Sequence, residues 1–174
     1  LMQNLGMPGS EIIFKVGPSG SEVKLNGVED VSIQVKTNVG QDFKPLNKVA
    51  SGGELSRISL ALSVSGTNTV LIPCVVFDEV DVGISGSVAE IVGQMLKKLS
   101  IKYQIICVTH LAQVAAQGTD HIKVEKTQKD GLTYTSVTNL SKKERADEVA
   151  RILGGIEISH KTRIAAEEMI DSGS

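Results

Sequence analysis

Residues 48–62 read KVASGGELSRISLAL. A serine, two glycines and an acid stand at the head of a segment in which Leu55, Ile58 and Leu62 recur at i, i+3, i+7, so a helix is expected to begin with the SGGE turn. Without Cβ atoms, Gly52 and Gly53 let a ligand approach the backbone, and unpaired N–H groups at a helix start favour an anion. Ser51 suits the cap and can also reach a phosphate oxygen. The same features describe an ordinary serine-capped helix, and Glu54 in the first turn repels a bare phosphate unless it points away, for instance toward Arg57. The stretch reads as half of a phosphate site.

Downstream, VLIPCVVFDEV (70–80) is a nearly continuous apolar run ending in acids, the pattern of a strand buried on both faces. SVAEIVGQMLKKL (87–99) follows as an amphipathic helix, YQIICVTH (103–110) as a second buried strand and LAQVAAQ (111–117) as a short helix. Strand, helix, strand, helix implies a parallel sheet whose ligands bind at the carboxyl ends of the strands. That places Asp78, Glu79 and His110 together. Two adjacent carboxylates suit nucleotide hydrolysis, one holding Mg²⁺ and the next positioning or deprotonating water. Solvated acids at a strand end are also common, so context decides. A histidine at the neighbouring strand end can donate to a phosphate oxygen, orient the water, or simply cap the strand.

Upstream, EIIFKV (11–16) and VSIQVKT (31–37) alternate β-branched stretches with turns such as GPSGS and NVGQ, which reads as antiparallel strands. Toward the end, HIKVEKT and LTYTSVTNL flank QKDG, where Asp-Gly signals a hairpin. Residues 142–152 and 160–171 read as two closing helices, with the Gly pair in LGGIEIS stopping the first. LSKKERADEVARIL (140–153) mixes both charges and reads as a solvated helix face rather than a DNA grip.

The 174 residues fit one domain, with 41% hydrophobic, 22% charged and only 3% aromatic residues implying an aliphatic core. A formal charge of −2 excludes a pervasive basic field for nucleic acid. Cys74 and Cys107 lie in apolar runs without C-x-x-C spacing, so zinc and redox motifs are absent and buried, reduced thiols are expected. There is no signal-peptide order and no run near the ~18 apolar residues of a membrane span, so the chain reads as intracellular. No G-x-x-x-x-G-K-[ST] occurs: GPSGSEVK (17–24) and GISGSVAE (83–90) lack its lysine and spacing. Catalytic acids without a phosphate cradle point to part of a larger machine.

Taken together, SGGEL, CVVFDE, DVGIS and VTH resemble, in order and separation, the signature motif, Walker B strand, D-loop and switch histidine of an ABC-type ATPase head of the SMC class. KPLNKVASGGELSRISLAL, FDEVDVGISG, VTHLAQVAA and ARILGG are similar to the bacterial branch that works in DNA double-strand break repair and recombination, and the opening LGM resembles the residues that follow a returning coiled-coil arm. The resemblance implies an α/β fold, the C-terminal half of a P-loop ATPase head, with a mainly parallel core sheet flanked by helices and an antiparallel portion at the N-terminal end. It implies one domain over 1–174, with 1–45 a β-rich opening segment and 46–174 the lobe bearing the motifs. The Walker A lobe and coiled coil would lie elsewhere.

By the same resemblance Asp78 holds Mg²⁺, Glu79 is the general base and His110 contacts the γ-phosphate of ATP. Ser51, Gly52 and Gly53 touch the nucleotide of a second head, Asp81 couples the two sites across the dimer, and Arg57 supports the signature helix. The partners implied are ATP, a second head, an N-terminal Walker A lobe and DNA, with no membrane. The location implied is the cytoplasm of a bacterium, nucleoid-associated when on DNA. Alone, the chain is expected neither to bind ATP tightly nor to hydrolyse it. Two alternatives are a non-catalytic dimerisation or interaction module and the ATPase subunit of a transporter. VDVGIS argues against the transporter, where a Ser-Ala-Leu-Asp type sequence is more usual.

Overall fold

The computed structural model describes residues 1–18, 23, 25, 27–49, 51–66, 73–155 and 157–173. After a 3₁₀ turn at Met2–Leu5 come β1 (Glu11–Pro18), β2 (Glu29–Lys36) and β3 (Lys44–Pro45), then α1 (Gly52–Ser65). Next follow β4 (Cys74–Phe77), α2 (Gly86–Ser100), β5 (Gln104–Cys107) and α3 (Ala112–Ala115). The chain closes with β6 (Ile122–Lys129), β7 (Leu132–Asn139), α4 (Lys142–Gly154) and α5 (His160–Ser172). The α/β class and the order of elements match the sequence reading. Among the described residues no helix is long and apolar enough to cross a membrane.

Three sheets form. β1, β2 and β3 make an antiparallel sheet with Phe14 opposite Ile33 and Val35 opposite Lys44. β6 and β7 make an antiparallel hairpin, closed by Asp130 (φ 54°) and Gly131 (φ 77°), the pair of left-handed residues that a two-residue turn matching strand twist demands. β4 and β5 pair in parallel, Val75 opposite Ile105 and Phe77 opposite Cys107. The parallel core is thus two strands wide among the described residues.

That narrow sheet changes one expectation. Phe77 is buried and Val75, Ile105 and Cys107 are partly buried on one face, whereas Val76, Ile106 and Val108 on the other are 62%, 48% and 57% exposed. Both strands are covered on one side only, because a helix layer packs on one face and nothing described covers the other. Residues 70–72 of the expected strand lie outside the described residues. Cys74 and Cys107 are accordingly free and half-buried, not fully buried.

One core gathers Leu5, Met7, Val35, Ile58, Leu60, Phe77, Val80 and Val92, joining the opening turn, the first sheet, α1, β4 and α2. A second, smaller one packs Ala112, Ala115, Ala116, Val149, Ala150 and Ala166 between α3, α4 and α5. The inward face of α1 differs from the one expected: Leu55 is 42% exposed, while Gly53, Arg57, Ile58, Leu60 and Ala61 are buried. Leu55 lies in the first turn of the helix.

The mixed-charge segment also departs from a solvated face. Lys142, Lys143 and Glu144 are exposed, with Ser141 and Glu144 forming a capping box. Glu148, however, is 7% exposed and takes hydrogen bonds from Arg151 at 2.6 Å and an ion pair from Lys123 of β6 at 3.2 Å. Arg145 donates to the carbonyls of Ala116 (2.7 Å) and Thr119 (3.3 Å). Every third or fourth residue of α4 turns toward α3 and the hairpin, and there the charges pair instead of meeting solvent.

Candidate nucleotide-facing site

The site forms where α1 begins and where β4 and β5 end. The Val108 N–H donates to the Phe77 carbonyl at 2.9 Å, extending the parallel ladder to the strand tips. Asp78 and Glu79 emerge from β4, and Thr109 and His110 from β5, at one edge of the sheet. Asp78, Glu79 and His110 are all exposed there.

Three hydrogen bonds tie α1 to this edge. Ser56 Oγ donates to the Asp78 carbonyl at 2.6 Å, and Arg57 Nη1 donates to the carbonyls of Val82 at 2.7 Å and Val80 at 3.4 Å. Arg57 is 4% exposed, and burial, opposed by the charges of Glu54 and Asp81, lowers its pKa below the usual guanidinium value.

Gly53 is closed in by the same turn: a Cβ there would lie 2.9 Å from the Val82 carbonyl oxygen and 3.1 Å from that of Glu79. Only glycine lets α1 and the turn approach so closely. At Gly52 an added Cβ would collide with the Glu79 carboxylate. Glu79 itself has φ 58°, the left-handed region that non-glycine residues avoid, and the Val82 N–H closes its turn on the Glu79 carbonyl at 3.2 Å. The strained backbone carries a candidate general base directly over the head of α1. Ser51 caps α1 through the Glu54 N–H at 3.4 Å, which uses an oxygen lone pair and leaves its O–H to donate.

Asp81 sits between the two strand ends. It is 1% exposed, and its Oδ2 accepts from Thr109 Oγ1 at 2.5 Å and from the His110 N–H at 3.0 Å, with His110 Nδ1 at 3.2 Å. The loop after β4 is thereby clasped to the loop after β5. Sequence reading named neither Ser56 nor Thr109. Each stands one residue from a position it did name, and nothing in a hydroxyl's position in the chain announces its partner.

Cys107 shares the neighbourhood, but burial first, then the Asp81 and Asp78 carboxylates, push its thiol up to about 12. It is no nucleophile at neutral pH. Among the described residues no group of three His, Cys, Asp or Glu side chains is placed to hold a metal. The donor set therefore excludes an all-protein cage, and fits an ion such as Mg²⁺ that takes one carboxylate and completes its shell with water and phosphate oxygens. Asp78 and Glu79 are the carboxylates exposed at the strand end.

No protein-family model matches the chain. Curated relatives named DNA repair protein RecN do. That of Xylella fastidiosa (strain 9a5c) is 44% identical over 171 residues, 98% of this chain and 31% of the relative. That of Haemophilus influenzae is 45% identical over 170 residues, 98% of this chain and 30% of the relative. That of Bacillus subtilis is 41% identical over 154 residues, 87% and 27% respectively. The chain therefore spans somewhat under a third of the length of these relatives.

Two solved structures share the fold. A chain from structural work on ATP-driven dimerization and DNA-stimulated activation of SMC ATPases superposes with a TM-score of 0.53 at 22% identity, covering 89% of this chain and 87% of the other. The Smc head domain of Pyrococcus yayanosii gives 0.58 at 24% identity, covering 86% and 27%. Over 98% of its length the chain is homologous to a segment of the RecN DNA repair proteins, and it is folded as in the heads of SMC ATPases.

Proposed function

We propose that residues 1–174 are the C-terminal lobe of an SMC-like ATPase head that hydrolyses ATP between two engaged heads in the repair of DNA double-strand breaks. The observation that carries this reading is the placement of Asp78, Glu79 and His110 at one sheet edge, beside the glycine-led start of α1. The naming of the relatives as DNA repair proteins favours repair over transport.

In this reading Asp78 would hold the Mg²⁺ shell. When bound, the ion neutralises phosphate charge. Glu79 accepts a proton from the attacking water, and its carboxylate, exposed at the sheet edge, lies beside Gly52 at the head of α1. Ser51, Gly52 and Gly53 present the N-terminus of α1 to the nucleotide of a second head. The phosphate has to share that approach with Glu79, whose carboxylate already lies against Gly52. Two like charges are then held apart only by what the complete head supplies, so the lobe alone is inactive and its Walker A loop comes from an N-terminal lobe. DNA is engaged through the longer protein, in the bacterial cytoplasm.

The test is Glu79→Gln in a head completed by a Walker A lobe. Hydrolysis lost with ATP-dependent dimers accumulating supports the reading. Unchanged turnover overturns it, and dimers formed without any dependence on ATP identify a non-catalytic interaction module instead.

A further inference from the structure

An anion belonging to the chain itself stands at the head of α1. The Glu79 carboxylate lies so close against Gly52, the first residue of the helix, that one of its oxygens would collide with a Cβ there. The first N–H groups of a helix have no partner within it and draw negative charge. A carboxylate in that place does what a phosphate would do, and it keeps a phosphate out.

The main chain of Glu79 is pinned on both sides. The Val82 N–H donates to its carbonyl at 3.2 Å, a Cβ on Gly53 would stand 3.1 Å from the same oxygen, and Ser56 Oγ holds the preceding carbonyl of Asp78 at 2.6 Å. The Glu79 residue is nonetheless exposed, so its side chain is free to change rotamer. An anion that takes the head of α1 therefore displaces the carboxylate by rotation about side-chain bonds, while the strand tip stays in place.

We infer that Glu79 is a self-occluding group: its carboxylate rests on the head of α1 until the phosphate of a second head's nucleotide evicts it, so that engagement at one site frees the base of the other. The inference rests on the proposed function, in which Ser51, Gly52 and Gly53 face the partner's nucleotide and Glu79 serves the nucleotide of its own head. Those two duties exclude one another at Gly52. A head that has not met its partner keeps its base parked, and hydrolysis waits for engagement.

The experiment measures dimerisation by sedimentation of the chain joined to a Walker A lobe, with Mg²⁺ and adenylyl imidodiphosphate, an ATP analogue that is not hydrolysed. Without turnover, Glu79 acts only through its charge and the place of its carboxylate. Glu79→Gln removes the charge, and Glu79→Asp keeps it on a side chain one methylene shorter, drawn back from Gly52. Gly52→Ala is no substitute, since its methyl group would itself stand in the path of the phosphate. Both Glu79 variants are expected to dimerise about fivefold more tightly than wild type, the upper worth of one exposed anion at a helix N-terminus. A dissociation constant no lower than wild type in either variant overturns the inference and leaves the ATPase reading standing; a gain confined to Glu79→Gln assigns the effect to charge without the contact. Dimers indifferent to the analogue, or none from any of the three proteins, overturn that reading as well.

Discussion

The hydroxyl of Ser56, on the second turn of α1, donates to the main-chain carbonyl of Asp78 at 2.6 Å. One bond thus joins the helix that presents the SGGE turn to the strand tip that presents both acids. With Arg57 bonded to Val80 and Val82 two residues on, the head of α1 and the acidic turn form one body. A shift at either is felt at the other. Ser56→Ala is expected to cost about 1 kcal/mol in urea unfolding, the ordinary worth of one hydrogen bond, and to lower turnover in a completed head by more than nucleotide affinity. Equal loss in both would show that Ser56 serves stability alone.

The two glycines are expected to separate cleanly. Gly53→Ala sets a Cβ against main-chain oxygens that cannot move aside, costing roughly 1–3 kcal/mol. Gly52→Ala meets only the end of the flexible Glu79 side chain, so denaturation midpoints stay near wild type while Glu79 is displaced and hydrolysis falls. Chemical denaturation of both variants, beside an ATPase assay in the completed head, checks the pair.

Glu79 holds a left-handed backbone that costs a non-glycine residue about 1 kcal/mol, the kind of strain that persists at functional positions. Asparagine tolerates that region better. Glu79→Asn should therefore raise the stability of the chain by about 0.5–1 kcal/mol and abolish hydrolysis. A destabilised variant would mean that the carboxylate supports the fold.

Burial alone would raise the pKa of Glu148, yet hydrogen bonds from Arg151 and Lys123 outweigh it and hold the carboxyl below the usual value. A depressed folded pKa contributes stability that is full above the unfolded value, about 4.3, and is lost as pH falls through the folded one. The clasp of α4 on the hairpin should loosen in that window. Glu148→Gln is expected to flatten the acid limb of the stability curve there and to speed amide exchange in β6. An unaltered acid limb would assign the loss to other carboxylates.

Local signals carried much of this fold. Ser51, Ser141 and Ser159 cap the three helices they precede, and Asp130-Gly131 makes the hairpin it announces, because caps and turns are decided within four residues. The parallel pairing of β4 and β5 was legible from apolar runs, and with it the meeting of Asp78, Glu79 and His110. Burial was less so. Val76 and Ile106 look like core in sequence and are exposed, since an apolar run records what a strand can bury rather than what lies against it. Glu148, in a segment that reads as solvated, is buried, and Asp81 is buried too: a charge gives no sign in sequence that partners 25 or 28 residues distant will satisfy it indoors. The resemblance gives Asp81 a role in coupling two sites across a dimer; within this chain it is buried and accepts from the Thr109 hydroxyl and the His110 N–H.

The central claim is that this chain holds one part of an ATPase site and that the rest comes from elsewhere. Steady-state ATP hydrolysis, measured on the chain alone and on the chain joined to a lobe bearing Walker A, tests it most directly. The account predicts turnover only in the joined protein, abolished by Glu79→Gln. Robust turnover by the chain alone, or turnover in the joined protein that survives Glu79→Gln, would contradict it.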